Sequence, residues 1–167
     1  SVNIQGDDVV YRTIGDVKPE GICGSGLIDL VSELRRTGRM NELGVFENGA
    51  GEFMFAPERG LSLSRADISA LAQAKSANYC GQWIVLRRYG VTTDEVKKLY
   101  LAGGFANYVN VDNALAIGFI ANIPGERIVK VGNAALTGTR EILLNCRKRA
   151  ELEEVVKGID HVELEPT

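Results

Sequence analysis

The chain has 167 residues, 45% of them apolar and 25% charged, with a net charge of -3. That length suits one domain able to bury roughly two thirds of its unfolded surface. The acidic balance gives no electrostatic case for nucleic acid or an anionic membrane, and no apolar run approaches the roughly 20 residues of a membrane span.

Residues 2–5 and 8–14 predict two short strands joined at Gly6–Asp7. Pro19 and Gly21 break the pattern. From Ser25 to Arg36 the apolar residues Leu27, Ile28, Leu30, Val31 and Leu34 recur at helical spacing, with Gly38 as the stop. Asp29, near the start, reads as a helix-surface charge. Residues 39–60 keep no period and read as loop, with one short strand around Phe53. Ser64 with Asp67 predicts a helix start, and the helix runs to about Arg88, ended by Gly90. Its apolar stripe is Ile68, Leu71, Ala72, Tyr79, Trp83 and Leu86.

Thr93 caps a short turn before the strand Lys98–Ala102. Mixed helical sequence follows Gly104 as far as Gly118, and Pro124 interrupts the chain. Residues 127–133 predict a second strand and 134–149 a helix, with Arg140 on its surface. Residues 151–157 read as helical and 161–165 as a last strand. Strand and helix thus alternate through the second half, which predicts an α/β fold: parallel strands flanked by helices, plus a short N-terminal β-hairpin. Ligands of such sheets bind beyond the carboxyl ends of the strands.

Cys23, Cys80 and Cys146 are widely spaced and form no C-x-x-C pair. They read as buried or incidental thiols rather than as a disulfide framework or a metal site. The single histidine, His161, lies in a charged tail without a neighbour at ligand spacing. No signal peptide opens the chain, so the expectation is a cytoplasmic protein. Strand-like sequence begins at once, which reads as a cut inside a longer protein.

Glycine clusters carry the functional signal. "LAGGFAN" (101–107) ends one strand, "VGNAALTG" (131–138) ends another and opens a helix, and "GICGSG" (21–26) runs into the first helix. Bare backbone lets a flat ring or a phosphate come close, which suits a nucleotide. The order G-x-x-G-x-G reverses the dinucleotide fingerprint, and there is no P-loop. Each cluster alone equally suits a turn or close packing. Lys75 falls in the middle of an apolar stripe, where it either snorkels to the rim or meets a polar ligand.

Together "GICGSGLIDLVSEL", "AQAKSA", "LAGGFANYVNVDNALAIGFI" and "VGNAALTG" resemble the carboxy-terminal region of the reductive activators of corrinoid proteins, over roughly residues 18–142. These are ferredoxin-linked proteins with an ATPase domain of the acetate and sugar kinase, heat-shock chaperone and actin superfamily. The resemblance implies part of an actin-like ATPase fold: a single domain over 1–167, the C-terminal part of a larger iron–sulfur ATPase. It implies ATP and magnesium as cofactors of the full-length protein, an iron–sulfur cluster only in a further N-terminal domain, and a corrinoid protein as partner. A homodimer stays open.

By the same resemblance Gly103 and Gly104 lie against adenosine, with Phe105 and Asn107 just beyond. Gln73 and Lys75 become ribose or base-side candidates. Gly24, Ser25 and Gly26 lie near the phosphates, and Asn133 is a weaker candidate. No residue is assigned as catalytic or as a metal ligand. The two D-x-G-[TN] hairpins by which the superfamily holds phosphate and magnesium are not in this sequence. The chain alone is therefore expected to bind nucleotide poorly and not to hydrolyse it. Two other readings stand beside this one: a non-catalytic partner-docking module, and another ATPase or kinase of the superfamily, such as an acyl-CoA dehydratase activator.

Overall fold

A computed structural model describes residues 1–164. The first hairpin pairs β1 (Val2–Gln5) with β2 (Asp8–Tyr11) in antiparallel register, Val2 opposite Tyr11. The second strand is shorter than predicted, because Ile14–Asp16 folds into a 3-10 turn. α1 (Gly24–Arg36) crosses the hairpin. A second antiparallel hairpin, β3 (Glu52–Ala56) with β4 (Leu61–Ser64), occupies the region read as loop with one strand. α2 (Arg65–Tyr89) then leads to β5 (Leu99–Ala102), and the short helices α3 (Gly104–Tyr108) and α4 (Val111–Ala116) follow. β6 (Ile128–Gly132) pairs parallel with β5, and α5 (Ala134–Leu144) and α6 (Cys146–Lys157) close the order. The strand predicted at 161–165 does not form over 161–164, and Glu165 lies outside the described residues.

Local chemistry explains the boundaries of α2. The Ser64 hydroxyl accepts from the Asp67 N–H at 3.2 Å, and the Asp67 carboxylate accepts from the Ser64 N–H at 2.8 Å. Such a reciprocal cap satisfies donors that the first turn leaves free. At the other end Gly90 takes a left-handed φ of 65°, which ends the helix where glycine carries no steric cost. The turn before β5 is capped by Thr92 rather than Thr93: its N–H donates to Glu95 at 2.8 Å. Arg127 fastens that turn to the start of β6, donating to the carbonyls of Asp94 at 2.6 Å and Val96 at 3.0 Å.

The core sits in the first half. Ile4 of β1, Ile28, Leu30 and Leu34 of α1, Phe55 and Leu63 of the second hairpin and Ile68 of α2 are buried together with Ala114, Ile117 and Ile120. α1 is buried on nearly all sides, and this corrects the surface reading of Asp29, which is 3% exposed. Its carboxylate accepts from the Val2 N–H at 3.3 Å and from Asn113 Nδ2 at 2.7 Å. One turn later buried Glu33 accepts from the Ile4 N–H at 2.7 Å and from Arg36. Ser1 and Arg12 exchange backbone hydrogen bonds, so the alternate N–H groups of Val2 and Ile4 face away from β2. The two carboxylates thus close the open edge of β1.

The second half is more open. The stripe on α2 is buried only at its start: Ile68 is 9% exposed, but Tyr79 is 41% and Trp83 48% exposed. Cys23, Cys80 and Cys146 are exposed free thiols, not buried ones. Among the described residues no helix is long and apolar enough to cross a membrane.

Candidate functional site

β5 and β6 run parallel, so their carboxyl ends lie at one edge of the molecule. There the Gly103 N–H donates to the Gly132 carbonyl at 2.7 Å. Gly103 has a φ of 101°, a conformation that side-chain-bearing residues rarely adopt. A Cβ built on Gly103 or on Gly104 would meet no atom within 4 Å. The two differ in one respect: Gly104 is an ordinary helical residue at the start of α3, with no positive φ to demand glycine.

Contacts between the four sequence clusters converge on this edge. Phe105, immediately after the glycine pair, stacks obliquely on Phe119 with ring centroids 6.1 Å apart. The first turn of α1 also lies against it: a Cβ on Gly24 would come within 2.9 Å of the Phe105 ring. Gly26 is confined less tightly, its Cβ position 3.2 Å from Ile22 Cγ1. Ser25 is buried between them. The last cluster joins through Gly132, whose Cβ position is 3.7 Å from Asn107 Oδ1. Asn133 caps α5, its side chain accepting from the Leu136 N–H at 3.0 Å. Lys130 donates to the Val109 carbonyl at 2.6 Å and so ties the end of α3 to β6.

α2 approaches from the side of Gly118. Half-buried Lys75 lies over that glycine, its Nζ 3.6 Å from the Cβ position. Lys75, Ser76, Tyr79, Cys80, Trp83 and Gly118 line a groove of about 660 Å³ there. Arg87 covers the Trp83 ring at 5.0 Å. Gln73 is exposed, and a spacing of two residues puts it on a different side of α2 from Lys75.

A larger cavity, about 960 Å³, lies beside the loop into α1, with Arg12, Lys18, Glu20, Cys23, Ser25 and Tyr108 among its walls. The Ser25 hydroxyl lies 3.3 Å from Cys23 Sγ. That contact, aided by the N–H groups of Gly26 and Ser25, pulls the Cys23 thiol below its ordinary pKa against the partial burial that raises it.

Sequence reasoning missed Phe119, Asn78 and Gln82. Asn78 Nδ2 donates to the Phe119 carbonyl at 2.6 Å, and Gln82 holds both that carbonyl and the Ala121 N–H. Two amide side chains one turn apart on the face of α2 that also carries Lys75 were the available signal.

The geometry fits the nucleoside part of a nucleotide: a strip of open backbone at the strand ends, and a half-buried ammonium on the neighbouring helix. No group of three His, Cys, Asp or Glu that could hold a metal ion through protein ligands alone occurs among the described residues. Nor do three separate cysteines suit an iron–sulfur cluster.

The family described as "C-terminal domain of RACo the ASKHA domain" matches residues 1–167. Corrinoid activation enzyme RamQ of Eubacterium limosum is 28% identical over 187 residues, spanning 98% of this chain and 32% of that protein. The [Co(II) methylated amine-specific corrinoid protein] reductase of Methanosarcina barkeri is 24% identical over 146 residues, spanning 85% of this chain and 26% of that protein. A solved structure, a reductive activator for corrinoid, iron-sulfur protein, superposes with a TM-score of 0.87 at 33% identity over 99% of this chain and 30% of its own. The chain thus spans about a third or less of these relatives, 32% at most.

Proposed function

Because the chain belongs to the family of C-terminal ASKHA domains of RACo, we propose that it supplies the adenosine side of an ATP site in a reductive activator of corrinoid proteins. In this reading the chain is one domain of a longer protein. That protein returns an inactive cobalt(II) corrinoid to cobalt(I) by adding one electron. An iron–sulfur cluster held outside this chain supplies the electron, and ATP binding and hydrolysis make the uphill transfer possible. This chain binds and orients; no step through magnesium or the cluster is assigned to its residues.

The observation that carries the reading is Gly104. Glycine at the first position of a helix loses backbone entropy on folding and packs no side chain in return. At Gly104 neither backbone conformation nor crowding requires it. A bare residue against open space leaves room for a ligand to lie flat on it, and its place at the carboxyl end of a parallel pair, where such ligands bind, supports the reading. Gly103 continues the strip, and Phe105 and Asn107 border it. Lys75 faces the ribose or base from α2, with Gln73 further round the same helix. Gly24, Ser25 and Gly26 stand toward the phosphates, where Arg12 and Lys18 line the adjoining cavity. Asn133 closes the far side.

Gly104→Leu in the complete protein tests this. The new side chain enters open space, so the fold should persist. ATP affinity should fall at least about a hundredfold, a loss near 2.7 kcal/mol, while binding of the corrinoid protein is retained. Unchanged ATP affinity overturns the assignment. Lost partner binding with intact ATP affinity favours a docking module instead.

A further inference from the structure

α2 is 25 residues long, yet among the described residues its side chains reach other elements by hydrogen bonds at two places. One is the cap at Ser64. The other is its middle, where Asn78 Nδ2 donates to the Phe119 carbonyl at 2.6 Å and Gln82 Nε2 donates to the same oxygen at 3.2 Å. Gln82 Oε1 also accepts from the Ala121 N–H at 2.9 Å. A side-chain amide that donates to and accepts from one stretch of backbone imitates a neighbouring strand, and it fixes both distance and direction. Ile120 and Ala121 are buried, so the clamped segment is anchored in the core. The remainder of α2 past Ile68 has little such anchorage, its aromatic face being exposed.

The clamped segment also touches Phe105, which follows the glycine pair, and Lys75. Phe119 stacks on Phe105, the residue after Gly104, and Gly118 lies under the Lys75 ammonium. We infer that Gln82, assisted by Asn78, is a positioning residue for the nucleotide: it holds α2 on the 118–121 segment and so sets where Lys75 stands relative to Gly103 and Gly104. The inference rests on the nucleotide reading above. Gln82 acts through Phe119 and Lys75 rather than by touching the ligand.

Two substitutions in the complete protein separate positioning from bulk. Gln82→Met keeps the length and removes both amide functions. Gln82→Glu keeps an acceptor for the Ala121 N–H, loses the donor while ionised, and regains an O–H donor to the Phe119 carbonyl once protonated; that carbonyl favours the protonated form and the Ala121 N–H the ionised one. The 117–123 segment carries no titratable side chain, and within two turns α2 carries Lys75, Tyr79, Cys80, Arg87, Arg88 and Tyr89.

Affinities for ATP are compared with the unsubstituted protein at the same pH. Gln82→Met should bind about tenfold more weakly at both about pH 8 and about pH 5. Gln82→Glu should match that loss at about pH 8 and return to within about threefold at about pH 5. Trp83, the one tryptophan of this sequence, neighbours Gln82 and, with any tryptophan elsewhere in the complete protein replaced by phenylalanine, reports docking without nucleotide. Its emission should shift red in Gln82→Met, and in Gln82→Glu only at the higher pH.

Unchanged ATP affinity in Gln82→Met, in a protein that binds ATP normally when unsubstituted, overturns the positioning role alone. Failure of the unsubstituted protein to bind ATP overturns the nucleotide reading, and the positioning role falls with it. Should Gln82→Met not fold, Asn78→Ala removes one donor and should cost about threefold; unchanged affinity there overturns the role of the pair.

Discussion

The start of α1 and the turn from β5 into α3 use the same residue for opposite ends. At Gly24 and Gly26 the missing side chains make room for the protein: Phe105 and Ile22 stand where a Cβ would go, 2.9 and 3.2 Å away. At Gly103 and Gly104 nothing stands within 4 Å. The first pair is explained by packing density, since a filled interior tolerates no extra methyl. Of the second pair, Gly103 is explained by its φ of 101°, and Gly104, free of both strain and crowding, is the one the proposed nucleotide site accounts for. Glycine in a sequence marks where backbone must be bare; only the surroundings tell what it is bare for.

The largest expected effect tests whether the open loop suffices on its own. Without the D-x-G-[TN] hairpins the chain lacks several charge-assisted phosphate contacts, each contributing roughly 1.5–3 kcal/mol. Isothermal titration of this chain with ATP and magnesium should therefore show no micromolar binding, the affinity lying nearer about 1 mM, and no phosphate released. Micromolar binding or steady turnover would show that the two loops together hold more of the nucleotide than adenosine.

The next effect separates the loops directly. Gly24→Val forces the Phe105 ring to move and should destabilise the fold by about 1–3 kcal/mol in urea unfolding. Gly104→Val should stay within about 1 kcal/mol of the unsubstituted chain. Adding Phe105→Ala should recover part of the Gly24→Val cost and none of any Gly104→Val cost. Equal costs for the two valines would erase the distinction between a filled and an open loop.

What the sequence made legible follows the range of the forces involved. The ends of α2 were readable because the Ser64–Asp67 cap and the Gly90 stop are local. The parallel pair β5–β6 and the first hairpin were readable from strand–helix alternation and a short turn. β4 was not, because four residues of alternating Leu and Ser carry too short a pattern. The burial of Asp29 depends on N–H groups of β1, 27 residues away, and no helical projection contains them. The exposed faces of Tyr79 and Trp83 make the converse point: periodicity orients a stripe without saying whether anything covers it. At the site, the glycine pair and Lys75 were visible as anomalies of pattern. Phe119 and the Gln82 clamp were not, since the i, i+4 spacing of Asn78 and Gln82 marks a polar face of α2 without naming the distant carbonyl it holds.

A smaller effect lies below the filled loop, in the helix it feeds. Arg36 is the chief cause that holds the Glu33 carboxyl below the ordinary carboxylate range, with the Ile4 N–H adding to it. A depressed folded pKa contributes stability that is present above the unfolded value and is lost as pH falls through the folded one. Urea unfolding should therefore show stability falling as pH drops below the ordinary glutamate range, and Glu33→Gln should flatten part of that slope. It should also cost about 1–3 kcal/mol near neutral pH through the weakened bonds to Arg36 and β1. An unaltered acid slope would mean that the β1 edge is held by packing rather than by charge.

The smallest effect asks whether the filled loop keeps any chemistry of its own. Cys23 precedes α1, and the Ser25 hydroxyl is the main reason its thiol sits below the usual range. A lower pKa means more thiolate at neutral pH, partly offset by the lower nucleophilicity of a more stable thiolate. In a background with Cys80→Ser and Cys146→Ser, the pH profile of Cys23 alkylation should therefore rise at lower pH than for the urea-unfolded chain. Ser25→Ala should move that midpoint upward by less than about one pH unit. Coincident folded and unfolded profiles would show that the hydroxyl does not stabilise the thiolate, leaving steric fit around Phe105 and Ile22 as the loop's whole role. A separation would mean that a loop closed to a side chain at Gly24 still directs polar groups outward at its next turn. In that case filling and binding are properties of individual residues in a loop, and the contrast with Gly103–Gly104 has to be drawn residue by residue.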